Sequence, residues 1–437
     1  MSHSLNRRIL ELALPAFAAL VAQPLFVMAD TAIVGQLGTD PLAGLGVGST
    51  LTLALVGVFV FLAYGSTATV ARLVGANREK DAAESGAQAM WLALVLGAVT
   101  GLVSWGFAPQ LAAWLGAGGT VHEQAVAYLH WSLPGLPGMF LVLAATGTLR
   151  GMADGRTPMV LAIGAAVLNL VGDVVLVFGL GMGIAGSGAA TAFAETLMGL
   201  TAAGIVARGA AGVGAGWRPR LAGMRTSLLV GVPLLIRTLA LRAALLLTTW
   251  TAARSGAVAL AAHQVGFTIW SFLQYVLDAL AIAGQTLIGQ ALGASRPGEA
   301  RALSRRMTGW SLCAGLLLGG VTLFVRHPLA ALFTPDPGVR DAVAAVLVVI
   351  GCTLVIASWV TLFDGVLIGA GDGPYLARAS LITLAVYAPL ALAVARFAPG
   401  GVPGLVWLWL AFTIGFMGAR AATLWWRERS DAWLVTG

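Results

Sequence analysis

The sequence predicts an all-α polytopic membrane protein. It places twelve transmembrane helices in two parallel six-helix lobes related by a pseudo-two-fold along the membrane normal. Three observations predict it. The 437 residues are 59% hydrophobic and 10% charged, with a mean hydropathy of +0.90. No soluble domain of this length covers that much apolar surface. Apolar stretches long enough to cross a bilayer recur along the whole chain. The second half also repeats the first at a single offset of 218 residues, without a gap. Pro15 pairs with Pro233, Gly38 with Gly256, Gly75 with Gly293, and Gly97 and Gly101 with Gly315 and Gly319. Gly151, Asp154 and Gly155 pair with Gly369, Asp372 and Gly373.

The spans fall near 9–34, 47–75, 88–114, 125–150, 158–180 and 184–208 in the first unit. In the second they fall near 225–253, 257–292, 305–332, 340–370, 375–397 and 401–427. The lobes are therefore bounded at 1–208 and 226–437, with a linker at 209–225 whose glycines, Pro219 and arginines read as a connection with little structure of its own. The 57 glycines suit membrane helices, whose backbones approach through small residues. Span 1 is too long for a signal peptide and lacks its cleavage pattern. Cys313 and Cys352 lie within spans, so neither a disulfide framework nor a metal cluster is expected.

Basic residues set the orientation. Arg7, Arg8, Arg72, Arg78, Lys80, Arg150 and Arg156 fall on one side, with the linker arginines, Arg296, Arg301, Arg305, Arg306, Arg378, Arg427 and Arg429. Arg254, Arg326, Arg340 and Arg396 fall on the other. The positive-inside rule then puts both termini and the linker in the cytoplasm. An even number of spans per unit makes the repeats parallel, the build of a secondary transporter. The net charge of +7 follows from this bias; no segment is long enough to form a nucleic-acid face.

Ionisable groups inside spans are costly and face a cavity or a partner. Asp30 lies about four residues from the outer end of span 1, and Asp173 about seven from that of span 5, so at ~1.5 Å per residue they share a depth. Asn169, four residues before Asp173, shares its helix face. Gln23 and Phe26 are placed on the face of Asp30, and Thr191 enters span 6 at the same level. Such a cluster suits a proton, because close carboxylates in a low dielectric share one readily. Its oxygens equally suit sodium. Glu195 is a further acid in span 6. Pro15 and Pro24 make span 1 prone to bend.

The second unit lacks these acids: Thr248, Tyr387 and Ala391 stand at the offsets of Asp30, Asn169 and Asp173. It carries Arg237 and Arg242 in span 7, Asp278 in span 8 and Asp364 in span 10. These read as structural charges, with Arg237 opposite Asp278 as a buried ion pair. Arg420, near the end of span 12, is expected to snorkel to the interface.

A GxGxxG at Gly181–Gly186 has no strand before it and is not a dinucleotide motif. His3, His122, His130, His263 and His327 form no catalytic cluster, and AAHQ around His263 reads as helix packing or gating. No enzyme, resident cofactor or metal site is expected.

The stretches LALPAFAALVAQPLFVMADTAIVGQLG (12–38), LRGMADGRTPM (149–159), NLVGDVVLVFGLGMGIAGSGAATAFAE (169–195), AAHQVGF (261–267) and IGQALGA (288–294) carry a resemblance over essentially the whole chain. It resembles the multidrug and toxic compound extrusion (MATE) transporters, most closely their DinF-like prokaryotic branch. The resemblance implies antiport across the cytoplasmic membrane of a prokaryote. Amphipathic, often cationic organic compounds leave as protons, or less favourably sodium ions, enter. It places the cation site on Asp30, Asn169, Asp173 and Thr191. A C-lobe cation site is not expected, since span 7 has no acid and Asp364 comes late in span 10. Substrate would meet apolar walls including Phe26, Met28 and Met139, beside Gln23. Ion binding at Asp30 and Asp173 would then bend span 1 and expel it. The partners expected are small organic substrates and the lipid bilayer, with a monomer as the working unit. The alternative within the superfamily is a lipid-linked precursor flippase, kept open by Arg237 and Arg242.

Overall fold

A computed structural model describes residues 2–436, with side chains from Leu5 onward. The lobe ends set at Met1 and Gly437, and the side chain of His3, lie outside the described residues. Among the described residues, twelve helices are long and apolar enough to cross a membrane. They are α1 Leu5–Leu37, α2 Thr39–Gly75, α3 Glu79–Gly106, α4 Gly119–Gly151, α5 Arg156–Gly179 and α6 Ile184–Gly212. The second set is α7 Leu221–Arg254, α8 Ala257–Gly293, α9 Pro297–Phe333, α10 Pro337–Gly369, α11 Gly373–Phe397 and α12 Val402–Arg429. No strand occurs among the described residues.

Several helices outrun the spans read from apolarity, because a helix continues into its polar first turns. α9 starts at Pro297, with proline at the N-terminal position and Glu299 in the first turn, where the helix dipole favours an acid. α3 starts at Glu79, with Asp81 beside it. At 37 residues, α8 and α9 are each ~55 Å long and project beyond a ~30 Å hydrocarbon layer.

The 218-residue repeat is written into the backbone. α2 ends with Asn77 at φ 59, and α8 ends with Ser295 at φ 55. Around the first, Asn77 N donates to Val74 and Arg78 N to Leu73; around the second, Ser295 N donates to Leu292 and Arg296 N to Ala291. Each is a left-handed C-terminal cap in which backbone N–H groups satisfy the helix's last carbonyls. Ala153 and Gly371 close α4 and α10 in the same way.

Each lobe is built on its fourth helix. The apolar window of α4 is 72% buried and that of α10 is 61% buried; α4 packs on α2, α3 and α6, and α10 on α8 and α9. Close approach needs glycine. A Cβ on Gly97 would sit 2.7 Å from the Pro137 Cα, and one on its twin Gly315 would sit 3.0 Å from the Val355 Cα.

Packing places the boundaries differently from the sequence. Leu10–Val232 form one compact unit, and Pro233–Gly437, with the residues up to Ile9, form the other. The first three turns of α7 belong to the first lobe. Gly231 lets the Phe61 ring approach, and Gly223 rests against Gln88. The helical ends narrow the linker to residues 213–220, and it is strapped down rather than loose. Gln88 Nε2 donates to the Arg218 carbonyl (2.9 Å) and Gln88 Oε1 accepts from Arg220 N (2.8 Å). Trp91 Nε1 donates to the Trp217 carbonyl (2.8 Å), and Arg220 pairs with Glu84 (2.9 Å). The sequence hid this because the partners lie more than 120 residues away on α3.

Candidate functional site

The first lobe gathers its buried polar groups at one level. Asp30 lies seven residues before the end of α1, Asp173 six before the end of α5, and Thr191 seven after the start of α6. Each is therefore ~10 Å from its helix end. All three are buried, at 4%, 0% and 3% exposure, and Asn169 is buried with them. Asn169 ties the cluster together. With its amide nitrogen facing the acids, it donates to Asp30 Oδ1 (2.7 Å) and Asp173 Oδ2 (3.2 Å). Its oxygen then accepts from the Thr191 backbone N–H (3.2 Å) and Oγ1 (3.0 Å). Asn169 thus holds the two buried carboxyl groups beside each other. Two carboxylates offer acceptors and no donor, and such a buried pair shares one proton readily.

Local backbone features position these groups. Past Asp173, Val174–Gly179 wind as a π-helix, and Leu180 N donates to Val175 O. Such segments shift the phase of everything beyond them and recur at functional sites. Gly172 lets α5 close on Ala190 of α6. α1 runs unbroken through Pro15 and Pro24; each proline leaves one carbonyl of the preceding turn without its helical donor.

Two neighbours escaped the sequence reading. Tyr128 of α4 is buried, is hydrogen-bonded to Thr191 and feels the charges of Asp30, Asp173 and Glu195. Its signal was Gly48 on α2, where a Cβ would sit 2.4 Å from the tyrosine ring. Ser187 approaches Asp173 from α6, yet Ser187 Oγ and Asp173 Oδ1 complete no hydrogen bond of good geometry.

The proposed wall residues are not a group. Gln23 is exposed although Asp30 is buried; Pro24 lies between them and the shared face is not kept. Met28 is 67% exposed and Phe26 half-buried. Met139 is 8% exposed, because it sits on the lobe's central helix. It packs in the core and lines no open wall, correcting the expectation.

The second lobe fills the equivalent place with aromatic rings. Thr248 and Tyr387, the twins of Asp30 and Asn169, hydrogen-bond at 2.6 Å. Ala391 replaces Asp173 and is fully buried. Trp409 stands where Thr191 would, with Phe412 edge-on to both Trp409 and Tyr387. Trp409 also packs on His263, whose Nε2 meets Thr249 at 3.3 Å.

The charges of that lobe converge elsewhere. Asp364 of α10 accepts from Arg237 Nη2 (2.5 Å) and from Arg420 Nη2 (2.5 and 2.7 Å). Arg420 Nη1 also donates to Ser380 (2.8 Å). Arg420 is 2% exposed and does not snorkel; a buried carboxylate two helices away holds it inside. Asp278 was the expected partner of Arg237, and the ion pair of Arg237 is made with Asp364. Arg242 and Asp278 are half-buried on α7 and α8. Gly181 and Gly183 supply positive φ in the α5–α6 turn, so their motif serves a turn. Among the described residues, no three His, Cys, Asp or Glu side chains converge to hold a metal.

Comparison with known proteins agrees with this architecture. The model of the MatE family matches twice, over residues 15–175 and 233–393, the same 218-residue offset. The chain belongs to the MatE family. DNA damage-inducible protein F of Escherichia coli is 29% identical to this MatE chain, over 99% of the chain and 95% of that protein. A probable multidrug resistance protein NorM of Pseudomonas aeruginosa is 31% identical over 92% and 85%. The structure of the Vibrio cholerae MATE transporter VcmN in the bent form superposes with a TM-score of 0.88, at 25% identity and 99% coverage of both chains. This MatE chain is thus a multi-pass membrane protein of a transporter family, with relatives named for multidrug resistance.

Proposed function

We propose that the protein is a cation-coupled antiporter that exports amphipathic, often cationic organic compounds across a bacterial inner membrane, with both termini cytoplasmic. The coupling ion is the proton in preference to sodium, and its site is Asp30, Asn169, Asp173 and Thr191. The observation that carries this reading is the buried pair Asp30 and Asp173, bridged by Asn169 donating to both acids, since close carboxylates in a low dielectric share a proton readily. A hard cation such as sodium would need several oxygen ligands with their lone pairs turned inward. Here an amide nitrogen already occupies lone pairs of both carboxylates.

Removing the shared proton leaves two charges side by side in a buried site. At about 4 Å and an effective dielectric near 20, they repel by about 4 kcal/mol. Protonation draws α1 towards α5, and deprotonation pushes them apart. α1 yields most readily at Pro24, six residues away, where a backbone hydrogen bond is already missing. Movement of α1 reshapes the first lobe around the acids and drives release of substrate. Relatives named as multidrug resistance proteins support broad substrate acceptance.

The test is ethidium export in proteoliposomes under an imposed pH gradient or an imposed sodium gradient. Export driven by the pH gradient and abolished in Asp30→Asn is the expected result. Transport driven by sodium alone would refute proton coupling, and full pH-driven export by Asp30→Asn would refute the site.

A further inference from the structure

The surface of α9 carries a feature that transport chemistry does not use. At its basic end, Arg305, Arg306, Gly309, Trp310 and Cys313, all on one side of α9, line a shallow open groove of about 610 Å³. Arg305 and Arg306 are exposed, and among the described residues neither has a carboxylate within 4 Å. Two of the nearby acids are engaged by other arginines. Glu299 pairs with Arg8 (3.6 Å) and Arg296 (3.4 Å), and Asp431 pairs with Arg301. Glu428 lies in the shared field of Arg305, Arg429 and Arg301. Arg306 donates from Nε to a neutral group, Asn6 Oδ1 (3.2 Å).

The groove continues into an apolar track. The exposed side of α9 runs from the two arginines over Gly309 and Cys313 to Leu316 (63% exposed), Leu317 (67%), Val321 (49%) and Phe324 (88%). Nothing lies within 4 Å of a Cβ built on Gly309 or Gly320, so the track is unobstructed at both. No charged residue stands between Arg306 and Arg326. Those nineteen positions span ~30 Å, the thickness of the hydrocarbon layer. Trp310 is one turn inside Arg306, the depth at which indole rings settle at a membrane interface.

We propose that this groove binds the headgroup of an anionic phospholipid. The two arginines take the phosphate, Trp310 lies at the glycerol level, and an acyl chain follows Gly309, Cys313 and Leu316–Leu317. A basic recess at headgroup depth selects negative charge. A hydrophobic stripe continuous with it, along the bilayer normal, selects a lipid over a free anion. The site is independent of the antiport reading.

The test uses the purified full-length protein in detergent, with bound phosphatidylglycerol and phosphatidylcholine counted by native mass spectrometry. At about 1 kcal/mol per arginine, Arg305→Gln with Arg306→Gln should weaken phosphatidylglycerol binding on the order of 30-fold. Phosphatidylcholine should be little affected. Gly309→Leu fills the open groove while leaving both arginines in the sequence, and should also release the lipid while the melting temperature holds. Arg296→Gln, at the same end but paired with Glu299, should retain it. Equal retention by the double variant or by Gly309→Leu would overturn the proposal. So would an equal loss in Arg296→Gln, or displacement of the lipid by millimolar inorganic phosphate.

Discussion

Asp364 is where the second lobe is most vulnerable to a single change. Its carboxylate receives Arg237 and both of the shorter contacts of Arg420, and the three residues sum to one positive charge. Asp364→Ala removes the only negative member and leaves Arg420, 2% exposed, with the Ser380 hydroxyl as its remaining partner in this cluster. Breaking a buried pair by deleting one partner costs about 3–5 kcal/mol, since the desolvated charge stays behind. Arg420→Met leaves Arg237 and Asp364 as a neutral pair, and methionine occupies similar apolar volume, so it should cost distinctly less. In a unit the size of one lobe, 1 kcal/mol moves the melting temperature by about 2–4 °C. Asp364→Ala should therefore lower it by roughly 6–20 °C. The assay is thermal unfolding in detergent, followed by intrinsic tryptophan fluorescence. A melting temperature for Asp364→Ala within 2 °C of wild type, or a loss in Arg420→Met as large as in Asp364→Ala, would refute the charge argument. Asp364→Asn that folds should keep pH-driven export, because the coupling is placed in the other lobe.

Further outcomes follow from the same geometry. Asp173→Asn should abolish pH-driven ethidium export as Asp30→Asn does, while binding of ethidium to the detergent-solubilised protein persists; loss of both would point to misfolding instead. Tyr128→Phe removes the hydrogen bond to Thr191 and should cost about 1 kcal/mol, read as a small drop in melting temperature. Gly48→Ala should be worse, at about 1–3 kcal/mol, because its Cβ would meet the Tyr128 ring at 2.4 Å. Glu84→Ala with Gln88→Ala should free the linker. Amide exchange at Gly216 and Arg220, whose N–H groups now donate to those side chains, should accelerate about fivefold or more.

The sequence by itself determined the class, the number of spans, the duplication and the level of the first-lobe acids. These follow from periodicity and composition, which act locally: apolar runs of membrane length, glycines at contact positions, and Asn169 one turn from Asp173. The structure extends the repeat to its capping residues, since Asn77 and Ser295 take the same left-handed conformation although their side chains differ. Only the tertiary structure decided which groups meet. Asp364 binding Arg237 and Arg420 joins residues 127 and 56 positions apart, and the linker's attachment to α3 spans more than 120. Tyr128 enters the site because Gly48, 80 residues earlier, leaves space for its ring. Met139 and Arg420 show the limit most clearly: each was read from its place along one helix, whereas burial is set by the helices on the other side. In a bilayer, where apolar residues are acceptable on both faces of a helix, hydropathy does not say which face is inside; packing complementarity does.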